Sequence, residues 1–401
     1  MPVVLVAVAL AAAVAIGAVV LDQQTGGSHL SGASRGLGPS QRGGAGFGNF
    51  GPPRPSASLV SVAASGPDDV WAVGATSHKP TYDQQALLEH WDGTAWHNVA
   101  CPGAKGLSSV TVPAPGDVWA TDGHDLVHWH DGQCDRIPPP RVGGEAPFSW
   151  VTATGPHSIW VCGEQPGTHY PASNFTAWNT LVARWNGGTW TVYHTPNLTK
   201  QSNYLQRILA LSPTDVWAVG TSLTKNHVNR TLAIHWNGHT WQTVETPNPG
   251  KTENGLGSIG TDSQHVWTVG AYGEGAGYRQ TALVMRRDGQ TWTTTQIPAI
   301  NRLHTVSALS GDSPDDVWAV GGWPNESLTL IHFNGHTWTT AKTSLPRLSS
   351  LADVVALDSS DAWAVGATGP NTKRREHPII DHWDGTSWHA TILPLNPAAH
   401  N

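Results

Sequence analysis

One phrase, Asp-Val-Trp-Ala-Val-Gly or a close variant, recurs seven times along this chain, so the fold must use it seven times in equivalent places. Its tryptophans are Trp71, Trp119, Trp160, Trp217, Trp267, Trp318 and Trp363, at intervals of 48, 41, 57, 50, 51 and 45 residues. A second phrase, close to His-Trp-[Asp/Asn]-Gly-x-x-Trp, follows each one. It reads His90-Trp91-Asp92-Gly93-Thr94-Ala95-Trp96 in the first unit and His382-Trp383-Asp384-Gly385-Thr386-Ser387-Trp388 in the last. Two copies are degenerate: the second ends in Cys134 where Trp is expected, and the fifth has Arg287 for the first Trp. Each unit also opens with a short apolar stretch, residues 59–64 in the first and 351–357 in the last.

Every unit therefore offers four strands, a to d. Strand a alternates apolar and small residues, b is the Val-Trp-Ala-Val-Gly run, c ends in His-Trp, and d opens with the second Trp. Between a and b lies a turn rich in Ser, Pro, Gly and Asp, as in Gly66-Pro67-Asp68-Asp69. Asp-Gly or Asn-Gly between c and d is a two-residue hairpin signal in which both central residues take φ > 0. Four antiparallel strands every 41 to 57 residues mark a propeller blade. The fold class expected is all-β, a seven-bladed β-propeller of four-stranded antiparallel blades over residues 58–393. No strand is left over, so the ring is expected to close without exchanging a strand between its ends.

Composition agrees. Charged residues make up 13% of the 401, against 44 Gly, 29 Pro and 21 Trp, which favours turns and strands over helices. Seven Trp fall on b, five on c and six at the start of d. Each buried indole removes roughly 150–250 Å² from water, on the order of 4–6 kcal/mol gross. Packing between flat blades therefore accounts for these eighteen. Trp150 falls on strand a of the third unit and is assigned to the core, whereas Trp178 and Trp323 fall in connections between b and c.

Before the repeats, residues 3–21 are apolar or Gly throughout and read as an N-terminal apolar helix, either a membrane anchor or a secretory signal with Ala13-Val14-Ala15 as its cleavage site. Both readings place the rest of the chain outside the cytoplasm, secreted or held at the cell surface. Residues 22–57 hold ten Gly and no hydrophobic period, as a flexible linker would. Residues 394–401 form a C-terminal tail. Of the three cysteines, Cys101 and Cys134 are the pair best suited to a disulfide, with small buried hydrophobes as the alternative. A net charge of −7 with no basic run argues against a nucleic-acid partner.

Five units carry His before the c-strand aromatic: His90, His128, His235, His332 and His382. On the third strand from the axis, neighbouring copies lie on the order of 14 Å apart, while metal ligands must sit ~2 Å from one ion. They read as strand residues hydrogen-bonding beside the Asp-Gly turn. Asp69, Asp117, Asp215, Asp316 and Asp361 close a–b turns. No metal, cofactor or catalytic set is expected.

The stretch Gly116-Asp117-Val118-Trp119-Ala120, then Leu126-Val127-His128-Trp129 and Asp131-Gly132, resembles a tectonin repeat. Val317-Trp318-Ala319-Val320-Gly321-Gly322 followed by Phe333-Asn334-Gly335-His336-Thr337-Trp338 resembles a kelch repeat. The tectonin resemblance implies glycan or lipopolysaccharide binding, and the kelch resemblance implies protein binding. The units here are longer than tectonin units, and most lack the double Gly of kelch.

The b–c connections vary in length, from His124-Asp125 alone to residues 164–179, and variable loops on a rigid frame are where binding usually lives. The ligand-binding candidates on that face are His78, Tyr82, Tyr170, Trp178, Tyr272, Tyr278, Trp323, Arg374 and Arg375. The expected function is a monomeric, non-catalytic extracytoplasmic module that binds a protein or a surface glycan, touching membrane only through the N-terminal segment. Two alternatives stay open: a cell-envelope hydrolase or lyase using acids such as Glu164, Glu274 or Glu376, and a structural spacer.

Overall fold

A run such as Val-Trp-Ala-Val-Gly has no polar face, so it is stable as a strand only when covered on both sides. Stacking sheets radially provides that cover. A computed structural model of the chain describes residues 56–78, 83–171, 175–273, 280–298, 306–322, 328–369 and 376–395. The expected N-terminal helix, the linker up to residue 55 and the tail from residue 396 lie outside them.

Among the described residues, 28 strands form seven antiparallel sheets, each made of four strands consecutive in the chain. The first blade is β1 (Ser56–Gly66), β2 (Asp69–His78), β3 (Asp83–Trp91) and β4 (Trp96–Asn98). The other innermost strands are β5 (Ser109–Ala114), β9 (Phe148–Ala153), β13 (Asn203–Ser212), β17 (Glu253–Thr261), β21 (Val306–Ser313) and β25 (Ser349–Asp358). Each lies against its two counterparts, and β1 against β25 closes the circle. The chain folds as a seven-bladed β-propeller, and no strand is exchanged where its ends meet.

Strand a carries a bulge where it passes the end of the Val-Trp-Ala-Val-Gly run in six of the seven blades, as between Leu59 and Ser61, Leu205 and Arg207, and Leu351 and Asp353; the second blade, whose strand b has no Gly there, pairs without one. There the backbone of strand a presses onto the glycine. A Cβ on Gly74, Gly220 or Gly366 would collide with the carbonyl oxygen of Ser58, Tyr204 or Ser350. That close approach explains why the phrase ends in Gly.

Seven hydrophobic clusters fill the seven seams between blades. In five of them the d-strand indole of one blade meets the b-strand indole of the preceding blade nearly edge to face. These pairs are Trp96–Trp363, Trp241–Trp160, Trp292–Trp217, Trp338–Trp267 and Trp388–Trp318, with centroids 4.9–6.2 Å apart. The seam between blades one and two differs. Cys134 stands where the indole would be and is disulfide-bonded to Cys101, and both pack beside Trp71. The covalent bond thus occupies the place of the missing wedge. Cys162 is free and buried.

The c-strand histidines find a different partner from the one expected. Each imidazole lies across the ladder from the b-strand indole; four stack on it, at 4.1 Å for His90 on Trp71 and 3.7 Å for His128 on Trp119, and His332 is tilted by 33° against Trp318. Nε2 of each meets the a–b turn aspartate of its own blade, not the c–d turn: His90–Asp69 2.8 Å, His235–Asp215 2.8 Å, His382–Asp361 3.0 Å. The same carboxylate accepts the indole N–H of Trp71, Trp119 and Trp217. The third and fifth blades place Arg184 and Arg286 opposite the indole instead, over Trp160 and Trp267.

The c–d turns also depart from expectation. Only Asp131-Gly132 has both residues at positive φ, 50° and 76°, in a two-residue hairpin closed by His130 and Gln133. In the fifth blade Asp288 and Thr291 close a two-residue turn in which Gly289 alone has φ > 0. In the other five the Asp or Asn side-chain carbonyl accepts backbone N–H groups two and three residues on. Asp92 takes those of Thr94 and Ala95, Asn237 those of His239 and Thr240, and Asp384 those of Thr386 and Ser387. These are Asx turns, and only their glycine needs φ > 0, as at Gly93 with φ 86°. The extra residues let strand d open on its indole.

Candidate functional site

The bore presents one residue from each blade at the same level. Two positions past each b-strand tryptophan, the paired residue on strand a is Ser61, Ser109, Trp150, Arg207, Ser258, Ala308 or Asp353, in blade order. Four of these are small and three are not. Arg207 of the fourth blade reaches across the axis to Asp353 of the seventh, with Nη1 to Oδ1 at 2.9 Å. The same Nη1 donates to Ser258 Oγ at 2.8 Å. The guanidinium lies 3.6 Å from the centroid of Trp150, a close cation–π contact. Asp353 Oδ2 accepts Ser61 Oγ–H at 3.0 Å and the backbone N–H of Val62 at 3.1 Å. Ser61 Oγ and Ser109 Oγ take the N–H groups of Val110 and Val151 in the next blades. The layer binds the blades together and crosses the bore. Arg207 and Asp353 are 5% and 4% exposed, so the pair works with little water screening. Burial lowers the guanidinium's affinity for its proton, and the facing Asp353 carboxylate offsets part of that.

Above this layer, toward the ends of the inner strands that carry the b–c connections, is a cavity of about 360 Å³. Trp150 and Arg207 form its floor. Ser56, Ser58, Ser108, Ser149, Gln84 and Gln206 supply hydroxyls and amides, and Leu107 and Phe148 supply apolar wall. Glu376, in the b–c connection of the seventh blade, also lines it and accepts a long hydrogen bond from Ser56 Oγ at 3.4 Å. Asp122, the other acidic group on the wall, is committed: it accepts the N–H groups of His124 and Asp125 and faces Arg136.

The expected candidates fall elsewhere. Tyr82, Tyr278, Trp323, Arg374, Arg375 and the acid Glu274 lie outside the described residues. His78 ends β2. Of residues 164–179, expected as a long b–c loop, 164–170 and 175–179 instead extend the sheet: β10 (Ile159–Tyr170) and β11 (Phe175–Trp185) continue pairing, with Trp178 opposite Pro166. Trp178 is therefore a half-buried strand residue whose backbone N–H donates to Ser202 Oγ at 3.2 Å. Tyr170 ends β10 and donates its hydroxyl to the Lys200 carbonyl at 2.9 Å. Tyr272 is the last residue but one of the strand β18 (Val266–Gly273) and packs on the cluster between blades four and five. None of these three lines the cavity.

Glu164 does not line it either. It sits near Tyr204 on β13, and burial pushes its carboxyl up to about 7. Trp150, assigned to core from its strand, is the tryptophan that reaches the site, and Arg207 and Asp353 were passed over. Their signal was present in the sequence: each is the one charge in a largely apolar run of its inner strand, residues 205–209 and 351–355. Among the described residues, no cluster of three or more His, Cys, Asp or Glu is placed to hold a metal ion.

No protein-family model matches the chain, and no curated protein sequence matches it. Among solved structures it is similar to YCF48 bound to D1 peptide, at 15% identity over 84% of this chain and 97% of that one, with a TM-score of 0.50. It is also similar to an ulvan lyase, a polysaccharide lyase bound to -[GlcA(1-4)Rha3S]-, at 11% identity over 84% and 96% with a TM-score of 0.54. A third similarity is to the acylaminoacyl peptidase of Pyrococcus horikoshii, at 10% identity over 84% of this chain and 52% of that one, with a TM-score of 0.53. At such identities the likeness is one of fold. The class is thereby set: a seven-bladed β-propeller, on a frame that peptide-binding proteins and enzymes share.

Proposed function

We propose that this chain is a non-catalytic binding module working outside the cytoplasm, and that it takes its ligand, a protein segment or a surface glycan, at the b–c end of its bore. The cavity above the Trp150–Arg207 floor carries this reading. It is walled mostly by strand residues and combines donors, acceptors and apolar surface in the way recognition sites do. The catalytic alternative requires two carboxyl groups about 5–10 Å apart at one reacting centre. Glu376 reaches the wall, but Asp122 is tied to Arg136 and its own turn, and Glu164 is buried away from the cavity. The Cys101–Cys134 disulfide supports an oxidising compartment, as does the apolar run at residues 3–21. The tectonin-like and kelch-like phrases are compatible with either ligand class.

The test is binding of the full chain to glycan and peptide arrays, beside Ser149→Trp, which fills the cavity from its wall. Retained ligand by the parent and loss of it by the variant, at an unchanged melting temperature, is the expected result. Turnover of a retained ligand would move the reading to the enzyme alternative, and equal retention by both proteins would move the site away from the bore.

A further inference from the structure

Successive strands of a blade run antiparallel, so the b–c and d–a connections share one face and the a–b and c–d turns share the other. Charge is sorted between these faces. The described lysines, Lys105, Lys200, Lys225, Lys251 and Lys342, all lie exposed in b–c or d–a connections, as do Arg141 and Arg347. Lys105, Lys200, Lys225 and Lys342 make no ion pair among the described residues. The described acids of the same connections are fewer: Asp122 and Asp125 are spent on Arg136, which leaves Glu145, Glu245 and Glu376. The opposite turns hold Asp68, Asp92, Asp131, Asp262, Asp315 and Asp384, and no Lys or Arg.

The cations ring the bore. They come from the connections that follow blades one, two, three, four and six, and from the b–c connection of blade four. Within the ring lies the cavity. Gln206, the extra residue of the bulge between Leu205 and Arg207, lines it together with Gln84. Neither amide makes a hydrogen bond among the described residues.

We propose that this face docks an anionic polysaccharide, its repeated charges held by the ring of cations and one of its sugars seated in the cavity. The inference rests on the binding-module reading above and narrows its ligand. Separated cations of one sign suit an extended chain of repeated negative charges better than a single charged group. Uncommitted amides, with the hydroxyls of Ser58, Ser108 and Ser149, answer the alternating donors and acceptors of a sugar ring. A lipid surface fits less well, because docking there relies on apolar side chains that insert. Of the four exposed large hydrophobics, only Leu198 lies in these connections.

Calorimetric titration of the full chain with dextran sulfate and with neutral dextran, at low and at high salt, tests this. The parent should bind the sulfated chain alone, and added salt should release it. Lys105→Gln/Lys200→Gln/Lys225→Gln should weaken binding by about tenfold or more. His239→Glu/Gln290→Glu/His336→Glu changes the net charge by the same amount at exposed positions of the opposite turns, and should match the parent within about twofold. Equal binding of dextran and dextran sulfate, no binding of either, or equal losses in the two triple variants would overturn the proposal. So would tighter binding of poly-L-glutamate, or a preference for phosphatidylglycerol over phosphatidylcholine vesicles that exceeds the preference for dextran sulfate over dextran. A neutral ligand held by the parent, lost in Ser149→Trp and indifferent to the lysine triple would sink the anionic chain and leave the binding module standing. An array with no retained ligand would sink both.

Discussion

Along the second strand of every blade the same indole stands in the same place, from Trp71 to Trp363. One strand inward, at the residue paired two positions further on, the blades carry Ser61, Ser109, Trp150, Arg207, Ser258, Ala308 and Asp353. The outer position repeats because all seven seams pose one packing problem. The inner position does not repeat, because seven residues meet around a single axis and must solve one problem jointly. Repetition in this molecule therefore reports the frame, and departure from it reports the site. The comparison predicts that damage to a seam stays local, whereas damage to the bore is felt by blades far apart in the chain.

The largest effect should come from the bore. Arg207→Ala strands the Asp353 carboxylate at 4% exposure and is expected to cost about 3–5 kcal/mol in urea unfolding. Arg207→Met/Asp353→Leu removes both charges and should come within about 1–2 kcal/mol of the parent, because a buried pair replaced by apolar groups is often close to neutral. If the single variant costs no more than the double, the cross-axis pair does not hold blades four and seven together.

Next comes the one seam that departs from the pattern. Cys134→Ala opens a disulfide that closes a 33-residue separation, and loop closure of that size is worth about 3–4 kcal/mol. The sharper version is Cys101→Ala/Cys134→Trp, which restores the indole found at the start of strand d in the other six blades. It should recover part of the loss, read as melting temperature under reducing conditions. No recovery would mean that the backbone of blade two has adapted to the bridge and no longer admits a wedge.

The sequence displays the seams far better than the bore for the same physical reason. A Trp repeated with a Gly three residues on survives as a pattern, since an indole must fill each seam and only Gly fits beneath the strand a bulge. The inner layer offers no pattern, and Trp150 on strand a looks like one more core aromatic. Lone charges in Leu205-Gln206-Arg207-Ile208-Leu209 and Leu351-Ala352-Asp353-Val354-Val355 were the available signal, and pairing them required knowing that blades four and seven face each other. Trp178 misled in the other direction. Residues 164–179 read as a loop, yet Pro166 and Gly167 fall in an irregular stretch of the ladder between β10 and β11, which pair again at His169 and Thr176. The Asp-Gly and Asn-Gly turns were placed correctly, but apart from Asp131-Gly132 they have another geometry than expected, because the side-chain acceptor of an Asx turn is also an Asp or Asn before Gly.

A third effect separates buried acid from bore acid. The Glu164 carboxyl is pushed by burial from an ordinary 4.5 up to about 7, so the folded protein holds a proton that the unfolded chain releases earlier. Stability from this group is complete below pH 4.5 and is lost as pH rises through 7, by about 3 kcal/mol in all. Glu164→Gln should match the parent at pH 4 and exceed it by about that amount at pH 8. A shallower decline should remain in the variant between pH 4 and 6, because burial also raises the Asp381 carboxyl, to about 6. Identical pH profiles for parent and variant would show Glu164 to be solvated in the folded state.

The smallest effects probe the repeat itself, where the seven copies differ by single bonds. In blade two, Asp117 accepts both the Trp119 indole N–H at 2.9 Å and the stacked His128. In blade seven, Asp361 meets His382 at 3.0 Å, while the Trp363 indole N–H has no partner among the described residues. Asp117→Ala should therefore cost about 2 kcal/mol and Asp361→Ala about 1, one hydrogen bond apart. The third blade shows that the frame tolerates the loss: Ser158 stands in the aspartate's place, and the Trp160 indole N–H is likewise unpaired. Urea unfolding of the two single variants and their double decides the matter. Costs that add mean independent blades, as the local character of the seams requires. A double variant far worse than the sum would mean that the rim is coupled around the ring as the bore is, and the contrast between the two regions would fail.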